Sequence, residues 1–360
     1  MGDAVPALNV LFTILADLSF SLLVGKSLAG YWLDLIPTKC SPSGNHAGSA
    51  DAFGFRRVSI ACVAVLLACH LVRPWFVASA MSGSTQFGEA LALIPTVLSS
   101  TRQGVLWYAN CAAVVLLLAA QFSAEFRSAS ALWMEFGALC VLAATKAASS
   151  HASEAGDFTL AEISQFLHIL STAVWAGAIV VSGLLVVPRL HVLAGVPALW
   201  SYGKRLSQTV TYALITLAGT GAYASWSDAH GTWSVVWTTA WGRTLLAKVT
   251  LAGLAALLGS AVRFRCLGLP ADHRRAAAMA KLLRGEAVVM FAVICLSGVL
   301  ANANPAGIPQ SFLVAPGAQE GFASCASIRT MLFRRGVAGT ASVFLWVSSD
   351  ARRSFRSTRS

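Results

Sequence analysis

The chain has 360 residues, of which 56% are hydrophobic and only 11% charged, with a net charge of +11 and a mean hydropathy of +0.68. Soluble domains carry about 25% charged residues, so most of this chain must be solvated by lipid. A soluble enzyme is therefore excluded, and the fold class expected is all-α, a polytopic membrane helix bundle.

Windows of about 20 apolar residues, enough to cross a hydrocarbon core roughly 30 Å thick, predict eight spans. They are Ala7 to Trp32, Val58 to Ala80, Gly104 to Phe122, Ala129 to Ala148, Ile163 to Val187, Leu206 to Trp226, Thr244 to Val262 and Ala287 to Ala303. The first lacks a basic leading region and is interrupted by Asp17 and Lys26, which predicts a retained helix rather than a cleaved signal peptide.

Thirteen Lys and Arg residues fall in the odd-numbered loops, against only Arg102 and Arg243 in the even ones. The positive-inside rule then places the odd loops in the cytoplasm and both termini on the outer side. Anionic lipid is the natural counter-charge for these basic loops. Neither the seventh loop nor the tail carries the aromatic interleaving of a nucleic-acid binder, so no nucleic-acid partner is expected, and without a G-x-x-x-x-G-K-[ST] loop no nucleotide is expected either. After Pro305 comes a tail with seven arginines, whose apolar stretch Gly336 to Val347 is too short to span. The eight cysteines include no C-x-x-C pair, and no disulfide framework is expected.

The halves resemble one another weakly. "QGVLWYAN" opening span three aligns with "WGRTLLAK" opening span seven, Gly104 over Gly242, and Gly25 aligns with Gly177. This suggests a parallel four-plus-four repeat, an arrangement that can enclose a site at its interface. The expected organisation is an N-terminal membrane half over 1–143, a C-terminal half over 144–308, and a disordered arginine-rich tail over 309–360.

Ionisable groups within a bilayer are functional candidates by default. Here they are Asp17, His70, Glu135, Lys146, His168, Lys248 and Glu286. Lys146 and Lys248 lie near span ends, where they can snorkel, and Glu286 is expected to open the eighth helix, where its charge suits the N-terminus. His168 shares a helix face with Ser171, Thr172 and Trp175. His151 lies just upstream, in the loop joining spans four and five. Imidazoles suit Cu, Zn, Fe and Ni, and a thioether such as Met81 would favour Cu(I), with His70 a further donor. Two histidines at this spacing match no tight metal signature, so a hydrogen-bonded His168 and a solvated His151 stay open alternatives.

The ordered runs "SSHA", "FLHILSTAVWAGAIV", "GTGAYASW", "WGRTLLAKVTLAGLAALLGSAVRFRCLGLP" and "LLRGEAVVMFAVICLSGVLANANPAG" resemble the copper resistance protein D family of bacterial inner-membrane proteins. The resemblance is close from Thr145 to Gly307 and general before that. It implies an eight-helix protein of the cytoplasmic membrane that moves copper ions inward and contributes to copper resistance, with a periplasmic CopC-type copper-binding protein as partner. It also implies family roles for His151 and His168 on the periplasmic side, and for Trp175, Gly177, Gly242, Arg243, Lys248, Arg263, Arg265 and Glu286 as motif positions. Ala16 and Asp17 stand where a family histidine is expected in span one, and Val262 where an asparagine often precedes the Arg-Phe-Arg run. Asp17 and His70 are the mid-span groups placed to assist passage. Two other functions fit the residues: a membrane oxidoreductase with one b-haem held by His70 and His168, and a copper sensor or scaffold that moves nothing.

Overall fold

In a computed structural model of the chain, residues 4–36, 53–83, 87–122, 129–153, 156–228 and 234–303 are described. Cys40 and the arginine-rich tail lie outside them. The described residues are helical: α1 (Ala4–Asp34), α2 (Phe55–Ser82), α3 (Phe87–Ser100), α4 (Arg102–Phe122), α5 (Ala129–Ala148), α6 (Leu160–Val181), α7 (Val187–Asp228), α8 (Ser234–Thr238), α9 (Ala240–Ala261) and α10 (His273–Ala301). The protein is an all-α polytopic membrane protein.

Among the described residues, seven helices are long and apolar enough to cross a membrane: Val5–Asp34, Phe55–Ser82, Arg102–Gln121, Ala131–Ala148, Leu160–Leu190, Ala240–Leu267 and His273–Ala301. Seven of the eight expected spans fall on them. The sixth, Leu206 to Trp226, is helical within α7 but does not join them. Its Thr211, Thr216 and Thr220 lower the hydropathy, although each hydroxyl donates to the carbonyl four residues back and so hides part of its polarity.

Local chemistry sets the helix ends. Thr159 caps α6 by accepting from the Glu162 N–H at 3.3 Å, and the Glu162 carboxylate accepts from the Phe158 N–H at 2.5 Å. A π turn, Ser182–Val186, joins α6 to α7, and Gly195, at φ 75°, breaks the helix where a Cβ would be strained. A second π turn, Val262–Leu267, follows α9. The openings of α4 and α9 are built alike. Thr101 caps Gly104 at 3.2 Å and Thr239 caps Gly242 at 3.0 Å, and in both cases the glycine packs on the carbonyl six residues earlier, Leu98 or Val236. A short helix precedes each, α3 before α4 and α8 before α9.

At the centre, α1 packs against α2, α5, α6 and α10, and α6 against α1, α5, α7 and α10. One buried cluster joins α1 to α6, α7, α9 and α10, and another joins α1 and α6 to α2, α4 and α5. Association in lipid depends on close packing, because the surrounding solvent is as apolar as the side chains. Small residues provide it. Gly25 lies on the backbone of Gly177, and Gly177 on the Ser21 carbonyl, so a Cβ on either would collide with main chain. Outward-facing Leu71, Trp133, Tyr212, Leu257 and Val288 are well exposed, as lipid-facing residues are.

Candidate functional site

His168 lies two turns into α6, half-buried, with its Nδ1 3.2 Å from the Thr220 hydroxyl of α7. Gly221 packs against the same ring: a Cβ there would sit 3.4 Å from Cε1. The ring is thus held between two helices, as one of the open alternatives anticipated, and Thr220 is the partner the sequence did not reveal. Because Thr220 already donates to the Thr216 carbonyl at 2.8 Å, its oxygen is left to accept from an imidazole N–H. In that tautomer, the Nε2 lone pair is the one available to a ligand.

Around His168 the bundle carries charge. Lys146 at the end of α5 forms an ion pair with Asp17 of α1. Lys146, expected to snorkel near its span end, is partly exposed there and pairs with Asp17 across the helices. Lys248 of α9 lies within electrostatic reach of Lys146, Asp17 and His168, and Arg73 of α2 within reach of Asp17. This group holds three cations and one carboxylate. Arg73 also lines a small cleft with Val97, Gln103, Trp107, Asn110 and Ser149, beside which Thr145 donates to Asn110 at 2.6 Å.

The other expected ligands are only partly gathered. His151 opens a short 3₁₀ turn, His151–Ser153, and its side chain lies outside the described residues. His70 lies beside Arg73, and its carbonyl accepts from the Trp107 indole at 2.7 Å. Met81 is exposed near the end of α2. Among the described residues, no three His, Cys, Asp or Glu side chains come together closely enough to hold a metal ion.

Two expectations need correction. Trp175, expected on the polar face of α6 that carries His168, is 1% exposed and faces Glu286 of α10. Glu286 does not open its helix. Because α10 runs unbroken from His273, Glu286 stands thirteen residues in, about 20 Å along at 1.5 Å per residue, and is fully buried. No N-terminal dipole reaches it. The carboxylate and the Trp175 indole approach each other without a hydrogen bond of normal geometry, and Gly259 of α9 closes over the carboxylate.

The remaining motif positions support packing and the surface. Gly177 makes the α1–α6 contact and Gly242 the start of α9. Arg263 donates to the Thr211 hydroxyl at 2.8 Å, tying the second π turn to α7, while Arg243 and Arg265 are exposed. The ion pair between Lys26 and Glu135, 2.5 Å apart with both side chains 5% exposed, was not foreseen from sequence. Opposite charges in two apolar spans of one half were its signal.

Among protein-family models, the copper resistance protein D-like N-terminal domain matches residues 1–160, and copper resistance protein D matches residues 202–300. His168, Trp175 and Gly177 lie between the two matches. No curated protein and no solved structure gives a match.

Proposed function

The chain belongs to the copper resistance protein D family, and from that premise we propose that it moves copper ions inward across a bacterial cytoplasmic membrane. The observation that carries the reading is His168, a ring fixed through Nδ1 to Thr220 on an apolar helix, with Nε2 left as a soft nitrogen donor. His151, close in sequence to the start of α6, and Met81 complete the capture site at the outer face.

Electrostatics shapes how copper arrives. Arg73, Lys146 and Lys248 outnumber Asp17, so a bare cation approaching His168 meets net repulsion. Delivery from a CopC-type periplasmic protein, by exchange of one ligand set for another, avoids presenting the bare ion. Once past the cluster, an inside-negative potential draws the ion inward by about 2.3 kcal/mol per charge per 100 mV. The basic odd loops face the cytoplasm in this orientation and meet anionic lipid.

The two halves act as a four-plus-four repeat with α7 as the sixth crossing. Support comes from the matched Thr-cap and glycine arrangements at Thr101–Gly104 and Thr239–Gly242, and from Gly25 meeting Gly177. Equivalent residues of two repeats meet each other only at the axis relating them. Copper passes inward between the two halves.

The test is copper flux into proteoliposomes under an imposed inside-negative potassium diffusion potential. Copper entry that rises with the potential and is lost in His168→Ala is expected. Entry that equals that of protein-free vesicles contradicts transport.

A further inference from the structure

The halves differ at one buried charge. In the first, Lys26 follows the close-contact glycine Gly25 and neutralises Glu135 on the fourth long helix, α5, at 2.5 Å. The alignment that lays Gly25 over Gly177 lays Lys26 over Ala178. In the second half the fourth long helix, α10, again turns a carboxylate toward this place: Glu286 faces Trp175, and Ala178 lies one turn further along α6 on the same side. Both Glu286 and Ala178 are 0% exposed. The carboxylate is kept in the second half, and the lysine is not.

A buried carboxylate without a counter-cation carries a desolvation penalty of several kcal/mol. Trp175 offers one N–H, out of normal hydrogen-bond geometry, and Gly259 brings only backbone and a bare Cα. Among the described residues, what acts on Glu286 is its burial and the Trp175 indole, with no charged group beside them. A proton or a mobile cation is what can complete the position.

The helix itself says which kind. Met290 stands at i+4 from Glu286, on the same face, and is 0% exposed. A second buried thioether, Met279, lies two turns the other way, against Gly203 of α7. A carboxylate matches a single positive charge, and a thioether prefers a soft ion. A divalent ion would leave a net charge in a dry interior.

We propose that Glu286 and Met290 form an intramembrane site for one Cu(I) ion, at the place that the Lys26 ammonium fills in the first half. The site lies deeper than His168 and receives the ion captured there. It rests on the copper reading above and adds to it a second station and an oxidation state.

The test is a Cu(I) titration of the full chain in lipid nanodiscs against a chromophoric Cu(I) chelator. Wild type is compared with Glu286→Gln, Met290→Leu and His168→Ala. The expected result is that Glu286→Gln and Met290→Leu each weaken one bound Cu(I) by about tenfold or more while His168-dependent binding persists, and that copper X-ray absorption of His168→Ala shows sulfur together with oxygen. Binding unchanged in Glu286→Gln overturns the site. Loss in Glu286→Gln with none in Met290→Leu overturns the part given to Met290 and with it the soft-ion assignment. Should the glutamine variant fail to fold, Met290→Leu and the absorption spectrum test the same site. Absence of bound copper from every protein contradicts the transport reading itself, a result distinct from a lost second station.

Discussion

Lys26 of α1 and Glu135 of α5 form an ion pair 2.5 Å long, with both side chains 5% exposed. Removing one partner strands the other charge away from water, and breaking such a pair costs about 3–5 kcal/mol. Lys26→Met is therefore expected to lower the unfolding temperature markedly in detergent. The double variant Lys26→Met with Glu135→Leu is expected to recover most of it, because two apolar residues need no pairing. A double variant no more stable than the single one contradicts this account.

The crossing of α1 and α6 has no room for a side chain at Gly25 or Gly177. Gly177→Ala forces the helices apart and is expected to cost about 1–3 kcal/mol, the usual range for overpacking. Gly253 of α9 has nothing within 4 Å of a new Cβ. Gly253→Ala is expected to gain about 0.5–1 kcal/mol from helix propensity. Thermal melts of the two variants, read side by side, check the contrast.

Thr220 fixes the ring of His168 by a 3.2 Å contact. Thr220→Val keeps the shape and removes the hydroxyl, a loss of about 1 kcal/mol for one hydrogen bond, or roughly fivefold in affinity. Copper titration is expected to show that modest weakening in Thr220→Val and loss of His168-dependent binding in His168→Ala. A Thr220→Val effect as large as that of His168→Ala would mean that the hydroxyl is itself a ligand.

The number of crossings has a direct readout. Between Leu160 and Asp272 lie α6, α7 and α9, so three crossings put these residues on opposite sides of the membrane and two put them on the same side. In a chain stripped of its native cysteines, Leu160→Cys is expected to react with an impermeant maleimide in intact cells. Asp272→Cys is expected to react only after permeabilisation. Labelling of both from outside shows that α7 does not cross.

Seven spans were legible because an unbroken apolar run needs no partner to declare itself. The helix α3 was not, because fourteen residues are too few for that signal. The start of α10 was hidden by His273, Arg274, Arg275, Lys281 and Arg284, which read as a loop although the helix runs straight through them. That error misplaced Glu286. His168 was legible as a titratable ring among apolar residues, but the contacts Lys26–Glu135, Lys146–Asp17 and His168–Thr220 depend on how helices rotate against one another. One helix's periodicity does not fix that rotation.

Under the proposed function, copper enters through His168. The most direct measurement is the copper content of cells expressing the wild type or His168→Ala at matched external copper, with zinc and iron read from the same samples. A rise in copper alone, lost in the variant, is the expected result. Copper that stays level in both, or rises equally in both, contradicts entry through this residue.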